Sequence, residues 1–126
     1  MTGARMSDFT IWHNPKCSTS RYVLKALQDA GVDVDVRDYQ KQPPTPAELK
    51  SALNRLGMAP RELLRRQNTP YDDLGLGDKS LSDDALIQAM ADHPLLIQRP
   101  AVFGPKGAIM TRPKETIHDF LIQQQS

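Results

Sequence analysis

A mixed α/β fold, with a βαβ half and a ββα half flanking a helical segment, is what this 126-residue sequence predicts. Three observations carry that prediction. A β-rich run, a helical run and an alternating run follow one another over residues 9–39. Helical periodicity then dominates about fifty residues. Two short β-rich runs and a last helical run close the chain. This length suits one domain able to bury its own core.

The elements follow in order. "FTIWH" (9–13) is rich in strand formers and stops at Asn14-Pro15, where a strand cannot continue. In "TSRYVLKALQDAG" the residues Val23, Leu24, Leu27 and Ala30 recur at helical spacing, and Gly31 ends the helix as a C-cap. "VDVDVRDY" (32–39) alternates apolar and charged residues, as a half-buried strand does. Strand, helix, strand implies a right-handed parallel crossover. "QKQPPTP" breaks the pattern. Thr45 can cap "PAELKSALNRLG", with Pro46 at the first position and Glu48 completing a capping box. "PRELLRR" is a short amphipathic turn or two, and "SDDALIQAMADHP" runs from its cap Ser82 to Pro94. After "LLIQRP" come the strands "AVFG" and "GAIM", tightly joined by "PKG", and then the helix "PKETIHDFLIQQQ". A βαβ half followed by a ββα half is the thioredoxin-like arrangement. The expected organisation is a flexible extension over residues 1–8 and a single domain over 9–126. Its thioredoxin-like core spans about 9–44 and 97–126, and its inserted helical subdomain about 45–96. The opening "MTGARM" has a second Met at position 6 and reads as an extension or an alternative start.

Composition removes several function classes. A formal net charge of +1 with no Lys/Arg run argues against a nucleic-acid partner. No apolar stretch nears the roughly 20 residues of a membrane span, and no signal-peptide pattern is present. One cysteine permits no intramolecular disulfide and fits a reducing cytoplasm. The three histidines and the cysteine lack metal-site spacing, so neither a metal nor a tightly bound cofactor is expected.

The informative stretch is "WHNPKCSTSR" (12–21). A lone cysteine is often just a small buried hydrophobe. Cys17, however, falls between the first strand and the first helix, where open α/β sheets bind ligands. The unpaired N–H groups and positive dipole end of a helix stabilise a thiolate there. Lys16 and Arg21 add charge nearby, and Ser18, Thr19 and Ser20 add hydroxyl donors. "CSTS" is also an incomplete C-x-x-C redox motif, with Ser20 in place of the second thiol. Any redox cycle must therefore borrow thiols from other molecules. A phosphatase-type loop would need Arg six positions after the cysteine, where Val23 stands. His13, four residues before Cys17, reads either as a strand-end histidine bonded to backbone or as part of the site. His93 and His118 read as helix-surface or helix-terminus residues.

Arg65, Arg99 and Arg112 occur in "LLRR", "QRPAV" and "TRPKE". Each read singly is a solvated charge. Two of them precede proline, where a stiff backbone aims the side chain. Guanidiniums converging on a thiolate would cradle a tetrahedral oxyanion. Spacing alone does not show convergence.

Together these residues resemble the glutaredoxin-linked arsenate reductases, over about residues 9 to 120. "HNPKCSTSR" is similar to the family's H-N-P-x-C-x-x-S-R loop, and "LLRRQNTPYDDLGL", "DHPLLIQRPAV" and "RP" at 112–113 match further motifs in the same order. The resemblance implies Cys17 as nucleophile, His13 and Ser20 as residues that depress its pKa, and Asn14 as the residue shaping the loop. It implies Arg65, Arg99 and Arg112 as holders of arsenate, and Pro100 as the cis-proline of the thioredoxin-like fold. It also implies glutathione as co-substrate and glutaredoxin as partner, with arsenite as product. Other readings on the same fold are a thiol oxidoreductase with a different substrate and a non-catalytic, partner-binding regulator. Relatives that regulate transcription usually keep C-x-x-C, so "CSTS" argues against that class.

Overall fold

The computed structural model describes residues 8–125. The extension expected over residues 1–8 lies outside them, except for Asp8. In chain order the elements are β1 (Phe9–His13), α1 (Ser18–Asp29), β2 (Val34–Asp38), α2 (Pro46–Leu56), α3 (Pro60–Leu63), α4 (Asp83–Asp92), a 3-10 turn (Pro94–Leu96), β3 (Ala101–Gly104), β4 (Gly107–Met110) and α5 (Thr116–Gln125). They form two compact units, one of residues 8–38 with 99–125 and one of residues 39–98.

The first unit holds a four-stranded sheet in the order β2-β1-β3-β4. β1 runs parallel to β2 and antiparallel to β3, and β3 is antiparallel to β4. This is the thioredoxin-like arrangement. Alternation along β1 sorts its side chains by face. Phe9 and Ile11 join Val102 of β3, Val23 and Leu27 of α1, and Ile117, Phe120 and Leu121 of α5 in one buried cluster. Each such side chain, fully buried, stabilises by roughly 1.5–3 kcal/mol. On the other face of β1, the Trp12 ring lies 5.2 Å from that of Phe103, and the Arg37 guanidinium 5.8 Å from Trp12.

Local sequence explains where these elements end. α1 stops at Asp29, and Gly31 follows with φ +74°, donating its N–H to Gln28 O at 3.0 Å. Ala30, not Gly31, is the C-cap residue; the glycine takes the left-handed position after it. β3 and β4 meet through Pro105 and Lys106 alone, because Gly107 already pairs with Gly104. A side chain at Gly104 would collide with Gln124, which lies 2.8 Å from the Cβ it would carry. α5 begins at Thr116, three residues later than the run from Pro113 suggests; Thr116 donates its hydroxyl to Pro113 O at 2.7 Å.

In the second unit α2 carries a full capping box: Thr45 Oγ1 accepts from Glu48 N at 3.1 Å, and Glu48 Oε1 from Thr45 N at 2.9 Å. Ser82 caps α4 through Ala85 N at 3.1 Å. Leu49, Leu53, Leu63, Leu86 and Met90 are buried. The mostly helical segment forms its helices where the capped runs predict them, except that the run from Pro60 stops at Leu63, and residues 64–82 form no helix. Pro70 lacks a donor, and Asn68 (φ +60°) and Gly75 (φ +68°) take left-handed conformations that break a helix. Arg61 replaces helical hydrogen bonds there, donating to Leu76 O at 2.8 Å and Asp78 O at 3.0 Å.

Candidate active site

The β1–α1 connection is a tight turn written by its residue types. Asn14 O accepts from Cys17 N at 3.0 Å, which closes a four-residue turn with Pro15 in its second position. Proline's fixed φ suits that position, and asparagine suits the first. Asn14 Oδ1 also accepts from Lys16 N at 3.0 Å, so one buried side chain pins the turn from inside. The turn delivers Cys17 as the N-cap residue of α1, partly exposed, with its carbonyl accepting from Arg21 N at 3.0 Å.

Beneath the turn, Ser20 is fully buried and its hydroxyl serves the loop. Ser20 Oγ lies 2.6 Å from His13 Nδ1 and accepts from Asn14 N at 3.0 Å. Burial pushes the His13 pKa below the usual histidine value; Asp38 opposes the shift and Arg21 adds to it. His13 is therefore neutral at neutral pH. It is a strand-end histidine, bonded to a side chain and not to backbone.

The Cys17 thiol has a pKa below the ordinary cysteine value. Burial alone would raise it. The backbone N–H of Ser20, the hydrogen bond and charge of the Arg99 guanidinium, and the backbone N–H of Thr19 together outweigh that burial. No N–H of the first turn caps the sulfur with full hydrogen-bond geometry, but those of Ser20 and Thr19 face it. Two expectations are thereby corrected. The hydroxyl of Ser20 is committed to His13 and Asn14, so Ser20 acts on the sulfur through its backbone. Positive charge at the sulfur comes from Arg99, whereas the Arg21 guanidinium donates to Pro15 O at 2.8 Å.

Strand register brings the arginines of this unit to the cysteine. Trp12 pairs with Ala101 and Ala101 with Met110, so the end of β1, the start of β3 and the end of β4 share one edge. Arg99 and Arg112 sit just beyond those strand ends. Arg112 donates from Nε to Arg99 O at 2.7 Å, and its Nη2 lies 3.8 Å from Cys17 Sγ. The Arg99–Pro100 and Arg112–Pro113 peptides are both cis. The structure thus gathers His13, Asn14, Cys17, Ser20, Arg99 and Arg112 in the first unit. Arg65 belongs to the second, where its N–H donates to Leu96 O at 2.6 Å and its Nη1 to Gln98 Oε1 at 3.1 Å. A short pairing of Leu64 with Ile97 and the hydroxyl of Thr69 on Arg65 O (2.8 Å) hold that backbone. His93 ends α4, and His118 pairs with the Tyr22 hydroxyl at 2.8 Å. Among the described residues no group of three or more His, Cys, Asp or Glu could hold a metal ion, and no helix is long and apolar enough to cross a membrane.

This arrangement can generate a nucleophilic sulfur and hold an anion against it. Sequence reasoning missed Thr111, a fully buried residue beside Arg112, and Gln98, which anchors Arg65. Only the neighbouring arginines pointed to either.

Known proteins match this chain along most of its length. An arsenate reductase of Rhizobium meliloti (strain 1021) is 45% identical over 112 residues, covering 89% of this chain and 80% of that one. One from Escherichia coli is 41% identical over 120 residues, covering 95% and 85%. The solved structure of an arsenate reductase from Vibrio cholerae superposes with a TM-score of 0.85 at 40% identity, over 91% of this chain and 98% of that one. The ArsC family model matches residues 12–120, which include the cysteine turn and all three arginines. A thiol-bearing turn on a thioredoxin-like sheet, matched over this span, places the chain in the ArsC family.

Proposed function

We propose that this chain reduces arsenate to arsenite in the cytoplasm, with Cys17 as nucleophile and with glutathione and a glutaredoxin as the source of electrons. The observation that carries the reading is the Cys17 thiol, its pKa depressed by the Ser20 N–H and Arg99, with Arg112 Nη2 3.8 Å from the sulfur. Arsenate is an anion near neutral pH, and a thiolate repels it unless cations stand beside both. Arg99 and Arg112 supply that charge in a forked geometry suited to tetrahedral oxyanions. Arg65 is proposed as a third arsenate ligand, from its place in the family's motif. The arsenate reductases among the relatives support the substrate assignment.

The cycle balances with two external thiols. The Cys17 thiolate attacks arsenic, and a protonated oxygen leaves as water, giving a sulfur–arsenic(V) adduct. Glutathione adds to the arsenic with loss of a second water. A glutaredoxin thiolate then attacks the glutathione sulfur, and the electron pair of that sulfur–arsenic bond stays on arsenic, which becomes arsenic(III). The mixed disulfide of glutathione and glutaredoxin leaves. Hydroxide finally displaces arsenite from Cys17 and restores the thiolate. No other cysteine exists in the chain to take over either external role.

The test is arsenate-dependent NADPH oxidation coupled through glutathione reductase, with each thiol partner left out in turn. Turnover should require both glutathione and glutaredoxin. Ser20→Cys should not make it independent of them, because the new thiol removes the hydroxyl holding His13 and Asn14 and invites a dead-end disulfide. Full activity with thioredoxin and no glutathione would overturn the cycle.

A further inference from the structure

The β3–β4 ladder ends at the pair Ala101 and Met110, so the next residues to face each other are Pro100 and Thr111. Proline has no N–H, and that pair cannot exchange the usual two backbone bonds. Thr111 compensates from its own side with two donors. Its N–H reaches Pro100 O at 3.2 Å, the long end of the normal range, and its hydroxyl reaches the same oxygen at 2.8 Å. The hydroxyl bond is the shorter. Thr111 is fully buried, and immediately after it the chain turns back on itself, with Arg112 N donating to Met110 O at 2.9 Å. The Thr111 hydroxyl is thus the last tie between the two strands before Arg112 leaves toward Cys17.

We propose that Thr111 is a positioning residue for the Cys17 thiolate: its hydroxyl on Pro100 O holds the segment of Arg112 against the segment of Arg99. Each arginine has one link that depends on that register. Arg112 Nε needs the Arg99 carbonyl at 2.7 Å to aim Nη2 at the sulfur, and Arg99 supplies the charge that lowers the thiol pKa. Loosening the Pro100–Thr111 pair lets both guanidiniums drift from the sulfur while the remaining ladder and the α1–α5 core keep the fold. The inference rests on Cys17 being the reactive group, but its readout needs no arsenate, so it fails or survives separately from the reductase reading.

The experiment compares Thr111→Ser, Thr111→Ala and Thr111→Val by the pH midpoint of Cys17 alkylation with iodoacetamide, alongside thermal unfolding. Serine and alanine both lack the methyl group and differ only in the hydroxyl; valine keeps the shape without it. Thr111→Ser should titrate like the parent, and the other two should show midpoints about half a unit higher. Should valine prevent folding, the serine and alanine pair makes the same comparison. Equal midpoints in folded Thr111→Ser and Thr111→Ala would overturn the proposal. So would folding by serine alone, since Thr111 would then serve only the fold.

Discussion

Two stretches of the first unit meet at the Cys17 sulfur, the turn of residues 13–21 and the hairpin ends of residues 99–112, and they act on it by different means. The turn works through short-range backbone geometry: Ser20 and Thr19 present N–H groups because they are the first residues of a helix, and the buried Ser20 hydroxyl locks His13 and Asn14 underneath. The hairpin ends work through charge carried in from far along the chain, with Arg99 and Arg112 tied to each other through the Arg99 carbonyl. A dipole can be built from consecutive residues. A cluster of cations next to a thiolate needs separate segments, because consecutive residues of like charge would point apart.

Removing what the two stretches share should have the largest effect. Cys17→Ser should abolish arsenite production, a loss of more than about a thousandfold, with the melting temperature nearly unchanged since the side chain is only partly buried. Persistent turnover in that variant would mean that neither stretch serves a nucleophile.

Breaking the hairpin side comes next. Arg99→Gln should lower kcat/KM for arsenate by roughly tenfold to a hundredfold, as loss of a charged hydrogen bond of about 1.5–3 kcal/mol implies. It should also raise the midpoint of thiol alkylation, because Arg99 contributes both a hydrogen bond and charge to the thiolate. Arg112→Gln, measured beside it, should move the midpoint less, since the exposed Arg112, 3.8 Å from the sulfur, is screened by water more than the half-buried Arg99. A larger shift in Arg112→Gln would reverse the roles assigned to the two arginines.

Breaking the turn side should instead cost stability. Ser20→Ala strands the buried Asn14 N–H and His13 Nδ1, at about 1–3 kcal/mol. Chemical denaturation should register that loss, and a variant as stable as the parent would show that the hydroxyl is dispensable to the turn.

The smallest effects lie in the pH dependence of stability. The folded His13 pKa is below its unfolded value, so between the two the unfolded state binds more protons. Stability should fall as pH drops below about 6.5, and the decline should level off below the folded pKa. The Cys17 thiol is depressed too, so its contribution is complete above the unfolded value of about 8.5 and is lost as pH falls through the folded pKa. His13→Gln should flatten the acidic slope and leave the alkaline one. An unchanged acidic slope would assign it to another group.

Much of this molecule is written in short stretches. Asn14-Pro15 ends β1 and opens a four-residue turn because proline has neither the donor nor the φ of a strand. Thr45, Pro46 and Glu48 start α2 because each satisfies or removes an orphan N–H. The same logic says less about residues 64–82, where Pro70 and the left-handed Asn68 and Gly75 leave no helix. It was also too coarse for Ser20: a serine three residues after a cysteine can donate through its hydroxyl or its backbone, and only the packing of His13 over it decides which.

By itself, then, the sequence determined the order of strands and helices, the turn that presents Cys17 and the absence of any second thiol in the chain. These depend on neighbours within a few residues, whose propensities and hydrogen-bond needs act locally. The tertiary structure alone decided that Arg99 and Arg112 stand at the sulfur, because that outcome rests on the pairing of Trp12 with Ala101 and of Ala101 with Met110. Register is a property of strands far apart in the chain: a slip of one residue would turn every side chain to the opposite face, and only the packed core around Ile11 and Val102 selects against it.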